Sequence, residues 1–139
     1  MPTLTRWFLK AALVHFALAL LAGLLLALRT WSRLPDWLGG FAPVYFHLVM
    51  VGWVTQLIFG IAHWMFPKAS ADRPRGDERL MWIVFWALNL GLALRAIGEP
   101  WVAVRPGGPA GALLALSAAL QLTAGWGFVA IVWPRVRVK

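Results

Sequence analysis

A chain of 139 residues that is 61% hydrophobic, with a mean hydropathy of +0.73, is too apolar to present a water-soluble surface. It has no cysteine, which removes disulfides, thiolate metal sites, iron–sulfur clusters and covalent c-type heme from consideration. The formal charge of +8 does not mark a nucleic-acid partner, because the basic residues flank apolar runs and form no cluster on a soluble element.

Four apolar runs follow one another. Residues 7–28, 44–66, 80–97 and 110–133 are each long enough to cross about 30 Å of hydrocarbon at ~1.5 Å per residue. The first is too long for a cleavable signal peptide, and no small-residue cleavage site follows it. Pro43 suits the first turn of the second run, where a missing N–H costs nothing, and Pro67 closes that run. Asp77 and Glu78 precede the third, where carboxylates complement the helix dipole, and Gly98 with Pro100 is read as its end. Pro134 closes the fourth.

The basic residues divide unevenly between the two sides. Arg6, Lys10, Lys68, Arg73, Arg75, Arg79, Arg135, Arg137 and Lys139 lie on one, and only Arg29, Arg33, Arg95 and Arg105 on the other. The positive-inside rule then puts both termini and the 67–79 loop in the cytoplasm. The expected architecture is an all-α membrane protein: one domain, an antiparallel four-transmembrane-helix bundle in contact with lipid.

Polar residues within spans are costly and face protein, water or a cofactor. His47 and His63 lie sixteen residues apart on the second run, hence ~24 Å along an unbroken α-helix and about 160° apart around it, so they cannot share a ligand. His63, Gln56, Gly52 and Gly60 form a stripe suited to a helix contact, and His15 on the first span could approach His63. His15, Gln56 and His63 are read first as packing residues, with a second cofactor, a quinone contact or a proton relay as alternatives. His47 differs. It sits at the outer end of its helix, at a depth comparable to Arg95, with Arg29, Arg33 and Arg105 in the outer loops. An imidazole below guanidiniums suits a heme with outward propionates, walled by Phe46, Met50 and Trp53.

The stretch Phe46-His47-Leu48, then Gly52-Trp53, Gly60 and Pro67, resembles the second transmembrane helix of the catalytic subunit in the heme-copper oxidase and nitric oxide reductase superfamily. It is also similar to small oxidase-subunit-I-like proteins. The resemblance implies that His47 is an axial ligand of heme b, in the cytoplasmic membrane of a bacterium or archaeon. The full subunits carry their remaining ligands on later helices, and spans three and four here have no histidine. A second axial ligand would come from His47 of a second copy across a two-fold axis, or the position is left to Met50, water or a gas. The expected protein is a membrane b-type cytochrome for electron transfer with a respiratory-chain partner or for NO or O₂ binding, and not a stand-alone enzyme.

Two rival readings need no heme. In one, the chain is an accessory or assembly subunit of a respiratory complex, docking through Gly52/Gly60 and Ser117/Gln121/Gly125. In the other, it is a small transporter with a polar path along His15, Gln56 and His63. No span has the broken character expected of a transporter site.

Overall fold

The computed structural model describes residues 1–32, 34–71 and 74–136. Helix α1 covers Thr3–Trp31. The second span is composite: a 3₁₀ turn at Asp36–Gly40, α2 at Phe41–His47, a π-helical stretch at Leu48–Thr55, and α3 at Gln56–Met65. Helices α4 (Glu78–Val104) and α5 (Pro109–Val132) follow, and a 3₁₀ turn at Trp133–Arg135 ends the described chain. All four spans are long and apolar enough to cross a membrane. Only 17% of the most apolar stretch of α1 is buried inside the bundle. Outward residues such as Leu13, Leu20 and Leu24 therefore present to lipid a surface that water would penalise.

Glycines set how closely the helices approach. Tyr45 packs on Gly23, His15 on Gly52 and Phe8 on Gly60, which defines one regular antiparallel register between α1 and the second span. A methyl on Gly52 would stand 2.8 Å from His15 Cβ, and one on Gly60 would stand 2.8 Å from Phe8 Cβ. The stripe foreseen on the second span is thus filled by α1 of the same chain. Helices α4 and α5 form the most extensive pair. There Ser117 Oγ donates to Gly91 O at 2.7 Å, and Gly127 lies against Val84. The core between the pairs holds Phe8, Met81, Val84, Phe85 and Ala124. Phe8 meets Phe85 edge-on at 5.1 Å, and Phe59 stacks on Phe128 at 3.7 Å.

Helix α4 does not stop where the sequence suggested. It continues through Gly98 and Pro100 to Val104. Gly98 is a packing residue, since a side chain there would meet Leu114 of α5 at 2.8 Å. Pro100 removes one amide donor from the last turns. The turn at Asp36–Gly40 packs on this part of α4, with Gly40 so close to Pro100 Cα that a methyl would lie 2.7 Å away. At the other end of α4 the Asp77 carboxylate accepts from the amides of Arg79 (2.9 Å) and Leu80 (3.4 Å), an N-cap.

Candidate functional site

His47 is the last residue of α2, where the second span passes into its π-helical stretch. Short π-helical turns inside α-helices recur at functional sites. They also change the number of residues per turn, so the angle expected between His47 and His63 for an unbroken α-helix does not apply. The Nδ1–H of His47 donates to Pro43 O at 2.9 Å. A carbonyl can only accept, so that bond places the proton on Nδ1 and leaves the Nε2 lone pair free. A backbone carbonyl behind the imidazole in this way is the usual outer support of a metal-ligating histidine. The ring is half-buried. Phe46 and Met50 beside it are 63% and 58% exposed, so this part of the helix looks away from the bundle. Trp53 is packed on Phe16 at 4.2 Å.

The guanidiniums expected above His47 are mostly engaged. Arg95 Nη1 donates to Glu99 Oε1 at 2.7 Å, and both side chains are only 17% exposed. Glu99 thus lies inside α4 as a counter-charge, rather than in a loop or at a span end. The i, i+4 spacing was the available signal for the pair. Arg29 pairs with Asp36 at 3.4 Å in a solvent-facing contact and lies across Gly39. Arg105 is exposed and has no acid within ion-pair distance among the described residues. Arg33 lies outside the described residues.

His15 does not pair with His63. It joins a network that links three helices. Asn89 Nδ2 donates to Phe85 O at 2.7 Å, which orients that amide. Asn89 and Gln56 then exchange bonds at 3.2 and 3.3 Å, which turns Gln56 Nε2 toward His15 Nδ1 at 3.0 Å. His15 Nδ1 also lies 2.8 Å from Ala11 O. One nitrogen cannot accept from Gln56 and donate to Ala11 together, so the ring tautomer selects one of the two bonds. Gln56 is fully buried, and the network ties α1, α3 and α4 together.

His63 is fully buried, and neither ring nitrogen has a partner. Next to it is a residue that the sequence marked only as a topology signal. Arg135 is 1% exposed. It donates to Pro67 O (2.9 Å), Phe66 O (2.8 Å) and His63 O (3.1 Å). These are carbonyls at the C-terminus of α3, where the helix dipole is negative, so the guanidinium caps the second span from the far end of the chain. Nothing local in the sequence announces that contact.

The stripe on α5 splits. Ser117 and Gln121 face Gly91 of α4, whereas nothing approaches within 4 Å of where a side chain on Gly125 would begin. Gly125 borders a shallow apolar groove with Phe59, Leu122 and Trp126. Among the described residues, no group of three or more His, Cys, Asp and Glu is placed to hold a metal ion.

No curated protein and no solved structure matches this chain. The family model described as cytochrome c and quinol oxidase polypeptide I matches residues 39–129. That stretch takes in the second span, α4 and most of α5, well beyond the single helix that carried the sequence resemblance.

Proposed function

The chain belongs to the cytochrome c and quinol oxidase polypeptide I family, and from that premise we propose that it is a small membrane b-type cytochrome holding heme b through His47. Its role is electron transfer with a respiratory partner or the binding of a diatomic gas, NO or O₂, in the cytoplasmic membrane of a bacterium or archaeon. The observation that carries the reading is the Nδ1–H bond of His47 to Pro43 O, which leaves Nε2 as a fixed and unshared donor.

The residues present fit axial ligation and only half fit enclosure. His47 and Phe46 sit on an outward part of the second span, so one face of a heme there must be covered from outside this chain. A second copy related by a two-fold axis supplies both a wall and a second His47. Bound heme contributes an iron that changes oxidation state or takes a gas. The chain contributes the donor, its carbonyl support and charge above the ring. Arg105 is the described cation free to meet a propionate, whereas Arg95 and Arg29 would first have to leave Glu99 and Asp36.

The test is an oxidised-minus-reduced absorption spectrum of purified protein, as isolated and after hemin addition, for wild type and His47→Ala. A b-type spectrum in wild type that is lost in a folded His47→Ala supports the reading. Spectra that do not differ between the two reject it. One observation favours the accessory-subunit alternative: the groove beside Gly125 and Trp126 is open to a partner helix. A colourless wild type that refuses hemin would leave that reading standing.

A further inference from the structure

Lys10 carries a charge into a membrane-spanning helix. It lies two turns past Thr3, roughly 10 Å along α1, so its apolar stem runs back toward the headgroups while the ammonium stays at the boundary. Thr3, Arg6, Trp7 and Lys10 follow one another at i, i+3, i+4 and i+7 and therefore share one face, where their exposed side chains line a recess of about 250 Å³. Arg6 Nη2 donates to Thr3 Oγ1 at 3.2 Å, which folds the guanidinium along the helix and leaves most of its N–H donors for another acceptor. Trp7 is a fixed wall of the recess, edge-on to Trp82 and to Phe85 of α4 at 6.3 Å in each case. A half-exposed indole of this kind sits naturally at headgroup level.

Arg6 and Lys10 are like charges one turn apart, which repel each other. Among the described residues no acid lies within ion-pair distance of either. The acids at this end of the bundle are engaged elsewhere: Asp77 caps α4, Glu78 pairs with Arg75 at 3.5 Å, and Asp72 lies outside the described residues. We propose that the recess binds the headgroup of an anionic phospholipid of the phosphatidylglycerol class, its phosphate held by Arg6 and Lys10 beside the Trp7 ring. A free phosphate would answer the same two charges. The rest of the face fits a lipid, because the stripe runs on from Lys10 through Val14, Leu18 and Leu21, all exposed and apolar, which is a track for an acyl chain. Phosphatidylcholine carries the same phosphate but would bring a quaternary ammonium up to two cations. The site is built from side chains on one helix face and does not depend on the heme reading.

Native mass spectrometry of the full chain, delipidated in mild detergent and titrated with phosphatidylglycerol or phosphatidylcholine of matched acyl chains, tests it. A basic residue at an anionic surface is worth about fivefold in binding, so wild type should retain phosphatidylglycerol about 25-fold more tightly than phosphatidylcholine. Arg6→Gln combined with Lys10→Gln should bring the two lipids to parity, whereas Arg6→Lys combined with Lys10→Arg, which keeps both charges, should preserve the preference. Equal retention of the two lipids by wild type overturns the proposal, and so does an undiminished preference in the double glutamine variant. Inorganic phosphate that displaces phosphatidylglycerol at millimolar concentration would make this a free-anion site and overturn the lipid assignment. Should the double glutamine variant not fold, wild type decides by crosslinking to a phosphatidylglycerol with a diazirine on its headgroup. Adducts on residues 3–10 support the site, and adducts confined to other segments overturn it.

Discussion

Replacing Arg135 by leucine should destabilise the bundle far more than an ordinary change near a chain end. The side chain makes four charge-assisted bonds, three at 2.8, 2.9 and 3.1 Å to carbonyls of Phe66, Pro67 and His63 and a longer one at 3.5 Å to Arg75 O. Hydrogen bonds from charged groups are worth about 1.5–3 kcal/mol each, and a cation at a partly buried helix C-terminus adds up to ~2 kcal/mol. The full sum overstates the loss, because Phe66 and Pro67 are exposed and their carbonyls can rehydrate once the guanidinium is gone. The expected cost is about 2–4 kcal/mol, a ~30- to 1000-fold increase in the unfolding constant. Arg135→Lys keeps the charge without the planar fork and should recover about half of it. Reversible unfolding in mixed SDS–detergent micelles, followed by circular dichroism and tryptophan emission, gives the number. A leucine variant within ~0.5 kcal/mol of wild type would refute the capping argument, since that is the scale of a surface substitution that touches nothing.

The same titration reads the other stability predictions. Gly52→Ala should cost about 1–3 kcal/mol, because its methyl would lie 2.8 Å from His15 Cβ and Cγ and must push α1 away. Gly125→Ala, with nothing within 4 Å, should be neutral or should gain up to ~1 kcal/mol from helix propensity. Gln56→Leu should cost about 1–3 kcal/mol by leaving Asn89 and His15 without their shared partner, and Gln56→Leu combined with Asn89→Leu should cost less than the two single changes added. Glu99→Gln should destabilise by about 1–3 kcal/mol, less than a fully buried pair would lose because both side chains keep some exposure, and Glu99→Gln with Arg95→Gln should restore part of that loss.

How much of this could be read beforehand depends on how local each cause is. Span count and helical class follow from run length and hydropathy, which are summed locally, and the Asp77 cap follows from a carboxylate just ahead of an apolar run. The end of α4 did not follow, because Gly98 and Pro100 are terminators only on average. Here α5 needs the missing side chain of Gly98, and the turn at Asp36–Gly40 packs over Pro100. The π-helical stretch after His47 has no composition of its own, so an unbroken helix was the natural expectation. Gly52, Gly60 and Gln56 were recognisable as contact residues, but which helix fills the contact is a tertiary fact, and it is α1 of the same chain. His47 stood out from its place on the span, whereas the bond that fixes its tautomer needed the structure. Arg95 was legible by its depth, whereas its pairing with the carboxylate four residues later is a contact that the structure supplies.

The central claim is that His47 Nε2 binds iron and that two chains share one heme. The most direct measurement is the heme-to-chain ratio, by pyridine hemochrome assay and amino-acid analysis, on hemin-saturated and re-purified wild type and His47→Ala. Wild type should saturate near one heme per two chains, and His47→Ala should retain none while still eluting as folded protein. Saturation at one heme per chain would remove the shared site and leave His47 as a lone axial ligand. Equal heme retention by His47→Ala and wild type would contradict the account itself.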